Sequence, residues 1–106
     1  MKAYSPVSVI VLNFNGRPYL KQCLDALLAT DYPRFEVVVV DNASTDGSAE
    51  FIRLNYPTVR VIRHAQNYGY AVGYNLVMDR IENEHVAFLN NDVFVKPNWL
   101  KELMLH

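Results

Sequence analysis

Two stretches, residues 7–12 (VSVIVL) and 35–40 (FEVVVV), are short, β-branched and almost uninterrupted by polar residues. A strand with one wet face alternates apolar and polar side chains, whereas a continuous apolar run belongs to a strand covered on both faces, as in a parallel sheet between helices. Residues 59–62 and 86–89 repeat the pattern more weakly, so four strands are expected. Between them the spacing changes to that of helices. Leu20, Cys23, Leu24, Leu27 and Leu28 form one stripe with Lys21, Gln22 and Asp25 off it, in a helix starting near Arg17-Pro18 and ending before Asp31-Tyr32-Pro33. Ser44-Thr45-Asp46 offers N-caps for a second helix through Phe51, Ile52 and Leu54, which stops before Pro57. A third is expected over about residues 70–81, where Gly73 permits close approach to the sheet, and a fourth near Pro97 carries Trp99, Leu100, Leu103 and Met104.

Strand and helix in alternation predict an α/β fold: a doubly wound, mainly parallel sheet with helices on both faces, joined by right-handed crossovers. The 106 residues match one domain, so residues 1–106 are read as a single unit. Ligands of such sheets bind beyond the carboxyl ends of the strands. Those ends read Asn13-Phe14-Asn15-Gly16, Asp41-Asn42, Gln66-Asn67 after a short gap, and Asn90-Asn91-Asp92. Turn preference explains any one of them. It does not require a carboxylate directly after a buried strand in two places, and the four segments meet at one edge of the sheet.

Several classes of ligand drop out. The net charge is −1 and the ten Lys and Arg are scattered, so no nucleic-acid partner is expected. Neither a P-loop nor a G-x-G-x-x-G follows the first strand, so phosphates need another holder. A divalent cation on Asp92 would serve, because Mg²⁺ often takes one or two carboxylates and completes its shell with substrate phosphates. Cys23, the single cysteine, has no disulfide partner in the chain and fits a reducing, cytoplasmic setting and a core position. No run approaches the roughly 18 apolar residues of a membrane span, so the chain is expected to be soluble by itself.

The order VSVIVLNFNG, VVVDNASTDGS, NYGYAVGYN and FLNNDV resembles the amino-terminal half of family 2 glycosyltransferases, which have a GT-A fold. The resemblance covers the chain from Val7 onward. It implies a domain that binds a nucleoside diphosphate sugar, a dTDP- or UDP-sugar, for transfer to a saccharide or lipid-linked acceptor, in a protein at the inner face of the membrane. By the same resemblance Asn13, Phe14, Asn15, Asp41 and Asn42 surround the base and ribose, Asn67 and Gly69 belong to the loop and helix start near the nucleotide, and Asn91 belongs to the same nucleotide-sugar-binding set. Asn90-Asn91-Asp92 takes the family's D-x-D position, where Asp92 would ligate Mg²⁺ or Mn²⁺. The family often has Asp where Asn42 and Asn90 stand, which implies a less negative site and a weaker metal grip. The same variants resemble rhamnosyltransferase-like members, which points to dTDP-rhamnose.

Nothing in the chain offers itself as the carboxylate base that inverting transfer needs. Asp79, Glu82 and Glu84 read as a solvated helix face; His64, His85 and His106 lack ligand spacing. Tyr70 and Tyr74, four apart, could flank a sugar, although such a pair more commonly packs on a sheet, and Trp99 reads as a packing anchor. The chain is therefore expected to be a fragment of a longer enzyme, inactive alone, with exposed apolar surface that favours a homodimer. A non-catalytic nucleotide-binding module is the main alternative. A receiver-like signalling domain fits less well, because it needs clustered acids after its first strand.

Overall fold

The computed structural model describes residues 4–104. In chain order the elements are β1 (Val7–Asn13), α1 (Arg17–Leu28), β2 (Phe35–Asp41), α2 (Ser48–Asn55), β3 (Arg60–Arg63), α3 (Gly69–Asn75), a 3-10 turn at Met78–Arg80, β4 (His85–Asn90) and α4 (Trp99–Met104). The strands form one sheet in the order β3-β2-β1-β4, every neighbouring pair parallel.

Side-chain alternation sorts the core into two layers. Val7, Val9 and Val11 of β1 and Val37 and Val39 of β2 face α1, α2 and α4, where they meet Leu20, Cys23, Leu24, Leu27, Ile52 and Leu100. Ile10 and Leu12, with Val38, Val40 and Ile62, face the other way onto Val77 and Tyr74. The expected double winding is thus present, and the apolar runs are continuous because both faces are covered. From β1 the chain winds outward through β2 to β3, then crosses the opposite face to place β4 on the other side of β1. The direction reverses between β1 and β4, the position where open α/β sheets hold ligands.

The expected stripe of α1 is buried at Leu20, Cys23, Leu24 and Leu27, with proline in the first turn, while Leu28 is exposed. Its Gly16 N-cap has no capping side chain; instead Asp46 Oδ2, from the loop before α2, accepts from Arg17 N at 3.0 Å. That use of Asp46 changes the start of the second helix. Gly47, at φ +81°, is the N-cap and α2 begins at Ser48. Asp46 Oδ1 accepts from Ser48 N at 3.1 Å and from the Ser48 hydroxyl, so Asp46 serves two helices, and Ser44 is occupied elsewhere.

The third helix is shorter than its spacing suggests. After Asn75 the backbone tightens, with Val77 N donating to Tyr74 O at 3.1 Å and Arg80 N to Val77 O at 2.9 Å. This turn drives Val77 fully into the core. A segment holding two glycines and several poor helix formers has little propensity to resist it. Beyond β1, the edge strand β4 leaves Phe88 47% exposed, and Val72, Leu76, Met78 and Phe94 are exposed as well. This is the apolar surface on which the expectation of a homodimer rests. No helix among the described residues is long and apolar enough to cross a membrane.

Candidate functional site

The register sets Asn13 of β1 beside Asp41 of β2, Asp41 beside Arg63 of β3, and Leu12 beside Asn90 of β4. The strand-end motifs are therefore neighbours, as expected. Alternation then separates adjacent residues. Asp41 continues the row of Val37 and Val39 toward α1 and α2, and Asn42 continues the row of Val38 and Val40 toward α3.

On the α1 and α2 side the polar groups satisfy one another. Asn13 and Asp41 are fully buried. Asn13 Nδ2 donates to Asp41 Oδ1 at 2.9 Å and to Ser44 Oγ at 3.2 Å. Ser44 Oγ donates to Asp41 Oδ1 at 2.7 Å and accepts from Asn15 N at 2.9 Å, while Ser44 N donates to Asp41 Oδ2 at 3.1 Å. The Arg63 guanidinium stands 3.8 Å from Asp41 Oδ2, so the buried carboxylate has hydrogen bonds on both oxygens and a cation alongside. Such compensation is what a buried charge requires. Asp41 is therefore engaged by the protein itself, holding β1, β2 and the following loop together.

The same network reaches β4. Asn91 Nδ2 donates to Asn13 Oδ1 at 2.8 Å, anchoring the turn that closes with Val93 N donating to Asn90 O at 3.2 Å. The Asn91–Asn13 contact lies directly over Gly16, where an added Cβ would stand 1.8 Å from Asn91 Nδ2 and 2.4 Å from Asn13 Oδ1. Asp92, next in the turn, is exposed. Burial pushes the Cys23 thiol of α1 up to about 11, and the Asp92 carboxylate adds to that rise. Among the described residues no group of three or more His, Cys, Asp or Glu is arranged to hold a metal ion. A cation here would have one protein carboxylate and would take its remaining ligands from phosphate and water, a donor set that suits Mg²⁺.

On the α3 side a cleft of about 230 Å³ opens, lined by Leu12, Phe14, Asn42, Asn67, Gly69, Tyr70 and Asn91. Asn42 is 1% exposed; its Nδ2 donates to Gly69 O at 3.1 Å, and its Oδ1 has no donor among the described residues. Asn67 Oδ1 accepts from Gly69 N at 2.9 Å, so Gly69, at φ +75°, is held from both sides. Gly73 lets α3 settle onto this floor, since a Cβ there would sit 3.1 Å from Asn42 Nδ2 and 3.2 Å from Leu12 Cδ1. His64 Nε2 hydrogen-bonds Gly73 O at 3.0 Å, so His64 positions α3.

Of the residues singled out by sequence, Phe14, Asn42, Asn67, Gly69 and Asn91 line the cleft. Asn13 and Asp41 lie beneath it in the buried network, and Asn15 bonds away from it, its Oδ1 accepting from Thr45 N at 2.8 Å. Ser44 and Gly16 were missed, although both sit inside the quoted motifs; a serine two residues after a turn asparagine and a glycine after a strand carry no mark beyond turn chemistry. Tyr70 and Tyr74 part company: Tyr74 Oη donates to Leu89 O at 3.1 Å and its ring lies 4.5 Å from that of Phe88, whereas Tyr70 lines the cleft. Trp99 packs as expected, its Nε1 donating to Thr30 Oγ1 at 2.9 Å. His106 lies outside the described residues.

Comparison with known proteins agrees with this arrangement. The family model for Glycosyl transferase family 2 matches residues 8–106. TuaG of Bacillus subtilis (strain 168), a glycosyltransferase named for teichuronic acid biosynthesis, is 32% identical over 90 residues, covering 81% of this chain and 35% of that protein. TarS 1-349 of S. aureus in complex with UDP-GlcNAc superposes with a TM-score of 0.82 at 31% identity, over 92% of this chain and 30% of that one. The mannosyltransferase PcManGT of Pyrobaculum calidifontis, in complex with GDP-Man and Mn²⁺, gives a TM-score of 0.77 at 34% identity, over 84% of this chain and 28% of that one. The chain thus spans about a third of the length of these relatives. The parallel sheet, the motif order and these matches agree: the chain has the GT-A fold and belongs to glycosyl transferase family 2.

Proposed function

We propose that the α3-side cleft takes the base of a pyrimidine nucleoside diphosphate sugar, whose diphosphate runs past Asn91 to a Mg²⁺ or Mn²⁺ ion on Asp92. The observation that carries this reading is the buried Asn42 Oδ1 left without a donor at the cleft. Such an acceptor costs about 1–3 kcal/mol. An N–H donor from a ligand would offset that cost, and uracil and thymine each present one at N3. Guanine also has a ring N–H, and the PcManGT complex holds GDP-Man; the choice of a pyrimidine follows the TarS complexes with UDP and UDP-GlcNAc.

Within this reading Phe14 offers a flat apolar face to the base, Asn67 and Gly69 shape the mouth, and the bonds among Asn13, Asp41 and Ser44 fix the strand ends before any ligand arrives. The cation, when bound, would neutralise the diphosphate and stabilise it as a leaving group. Asp92 would contribute one ligand, so nucleotide and metal should bind together. In the whole protein the sugar passes to an acceptor hydroxyl of a saccharide or lipid-linked acceptor, with the base that removes the proton supplied from outside this chain. The TarS complex with UDP-GlcNAc and the PcManGT complex with Mn²⁺ support a nucleotide sugar and a metal in this family.

Calorimetric titration with UDP, dTDP and GDP, with and without Mn²⁺, tests the proposal. Metal-dependent binding of UDP or dTDP is expected, lost in Asp92→Ala. That variant should keep its stability within about 0.5 kcal/mol, because Asp92 is exposed. Equal affinity in Asp92→Ala would remove the metal role, and preference for GDP would overturn the choice of base.

A further inference from the structure

We propose that Tyr70 is a specificity residue for the same site, forming a second aromatic wall opposite Phe14 so that the base stacks between two rings; this rests on the donor-nucleotide reading of the cleft. Both rings line the cleft, and both are open to solvent, Phe14 at 49% and Tyr70 at 62%. The other aromatic ring of α3 is not so open. One turn later, Tyr74 is held by Leu89 and Phe88.

The backbone next to Tyr70 is fixed from two directions. Gly69 O accepts from Asn42 Nδ2 at 3.1 Å, and Gly69 N donates to Asn67 Oδ1 at 2.9 Å. The ring at the next position is therefore carried on a point tied to the end of β2, and ordering it against a ligand restricts only two side-chain torsions. A face kept in water on a pinned backbone is a ready stacking surface, since every base has a π-face.

The ligand's direction separates base from sugar. Asp92 is exposed in the turn after β4, directly following the cleft residue Asn91, whereas Tyr70 is carried on α3. A diphosphate drawn to Asp92 leads the sugar end of the donor away from α3. The group left beside Tyr70 is the base.

The test compares Tyr70→Ala, Tyr70→Phe and Phe14→Ala by titration with UDP plus Mn²⁺ and with uridine alone. Loss of one stacked face predicts that Tyr70→Ala weakens UDP binding by about 5- to 100-fold. Uridine should lose a similar factor, because the contact is to the base, and Tyr70→Phe should stay within about threefold of wild type, because a phenyl ring stacks as well. Circular dichroism should show an unchanged fold, as the side chain is largely exposed. If Tyr70→Ala binds UDP as wild type does while Phe14→Ala is weakened, the wall is wrong and the donor site stands. If uridine is unaffected while UDP is weakened, Tyr70 acts on the sugar-phosphate end and the assignment to the base is overturned. If wild type binds neither UDP nor dTDP at millimolar concentration, the donor-site reading falls and this inference with it.

Discussion

Asp41 and Asn42 are consecutive, both buried, and opposite in fate. Toward α1 and α2, Asp41 has donors on both oxygens and Arg63 beside it; toward α3, Asn42 keeps an amide oxygen with no donor among the described residues. The first side acts as a latch that fixes where the strand ends lie, and the second is the side we propose for the ligand. Pleating produces this division, since neighbours on an extended chain point to opposite faces. A two-residue motif can thus supply scaffold and recognition at once.

The largest effect is expected from breaking the latch. Asp41→Ala removes the acceptor for Asn13 Nδ2 and for Ser44 Oγ and N, and leaves the Arg63 guanidinium beside a hole. Breaking a buried charged network costs about 3–5 kcal/mol, a large part of the roughly 5–15 kcal/mol that holds a domain folded. Urea denaturation should show a greatly lowered midpoint. A loss under about 1 kcal/mol would mean that the network tolerates dissolution and that the contrast with Asn42 is not energetic.

Placing one methyl group on each side gives a sharper comparison. Gly16→Ala puts a Cβ 1.8 Å from Asn91 Nδ2 and must displace the Asn13–Asn91 bond, whereas Gly73→Ala meets Asn42 Nδ2 at 3.1 Å and needs only a small shift. Overpacking of the first kind costs about 1–3 kcal/mol. It should also loosen the Asp92 turn, so Gly16→Ala is expected to weaken Mn²⁺-dependent UDP binding more than Gly73→Ala does. The reverse order would place the critical crowding on the α3 side.

The smallest effect belongs to Asp46, at the rim of the latch. Burial opposes its charge, yet hydrogen bonds from Ser48 Oγ and from the N–H groups of Arg17 and Ser48 outweigh burial and hold the carboxyl below its ordinary range. Its folded value is depressed, so its stabilising contribution is complete above the unfolded carboxylate value of about 3.9 and fades as pH falls through the folded one. Asp46→Ala should cost about 0.5–1 kcal/mol at pH 7, the low end for a cap because the residue is exposed, and the deficit should shrink below about pH 4. A deficit unchanged from pH 7 to pH 3 would show that the charge of Asp46 is irrelevant to folding.

The strands were readable in the sequence because residues 7–12 and 35–40 must be covered on both faces, and the strand-end motifs were readable because parallel register brings all their carboxyl ends to one edge. What periodicity could not resolve was local winding. Tyr70, Tyr74, Val77 and Ile81 recur at spacings that suit one long helix, but a 3-10 turn after Asn75 carries Val77 into the core just as well. Nor could spacing separate Tyr70 from Tyr74, since only the position of β4 decides which ring finds Phe88 and Leu89. The partners of Asp41 were not legible either, because a carboxylate after a buried strand carries no mark of the Asn13 and Ser44 contacts that hold it.

An amide at position 42 carries no proton that ordinary pH can remove or add. The contact proposed for the base edge therefore owes no pH dependence to the protein, and below the alkaline range in which the imide N–H of the base ionises, any pH dependence of nucleotide capture should enter from the diphosphate. Molecular identity and metal-assisted grip would then respond to the medium independently, one steady and the other adjustable.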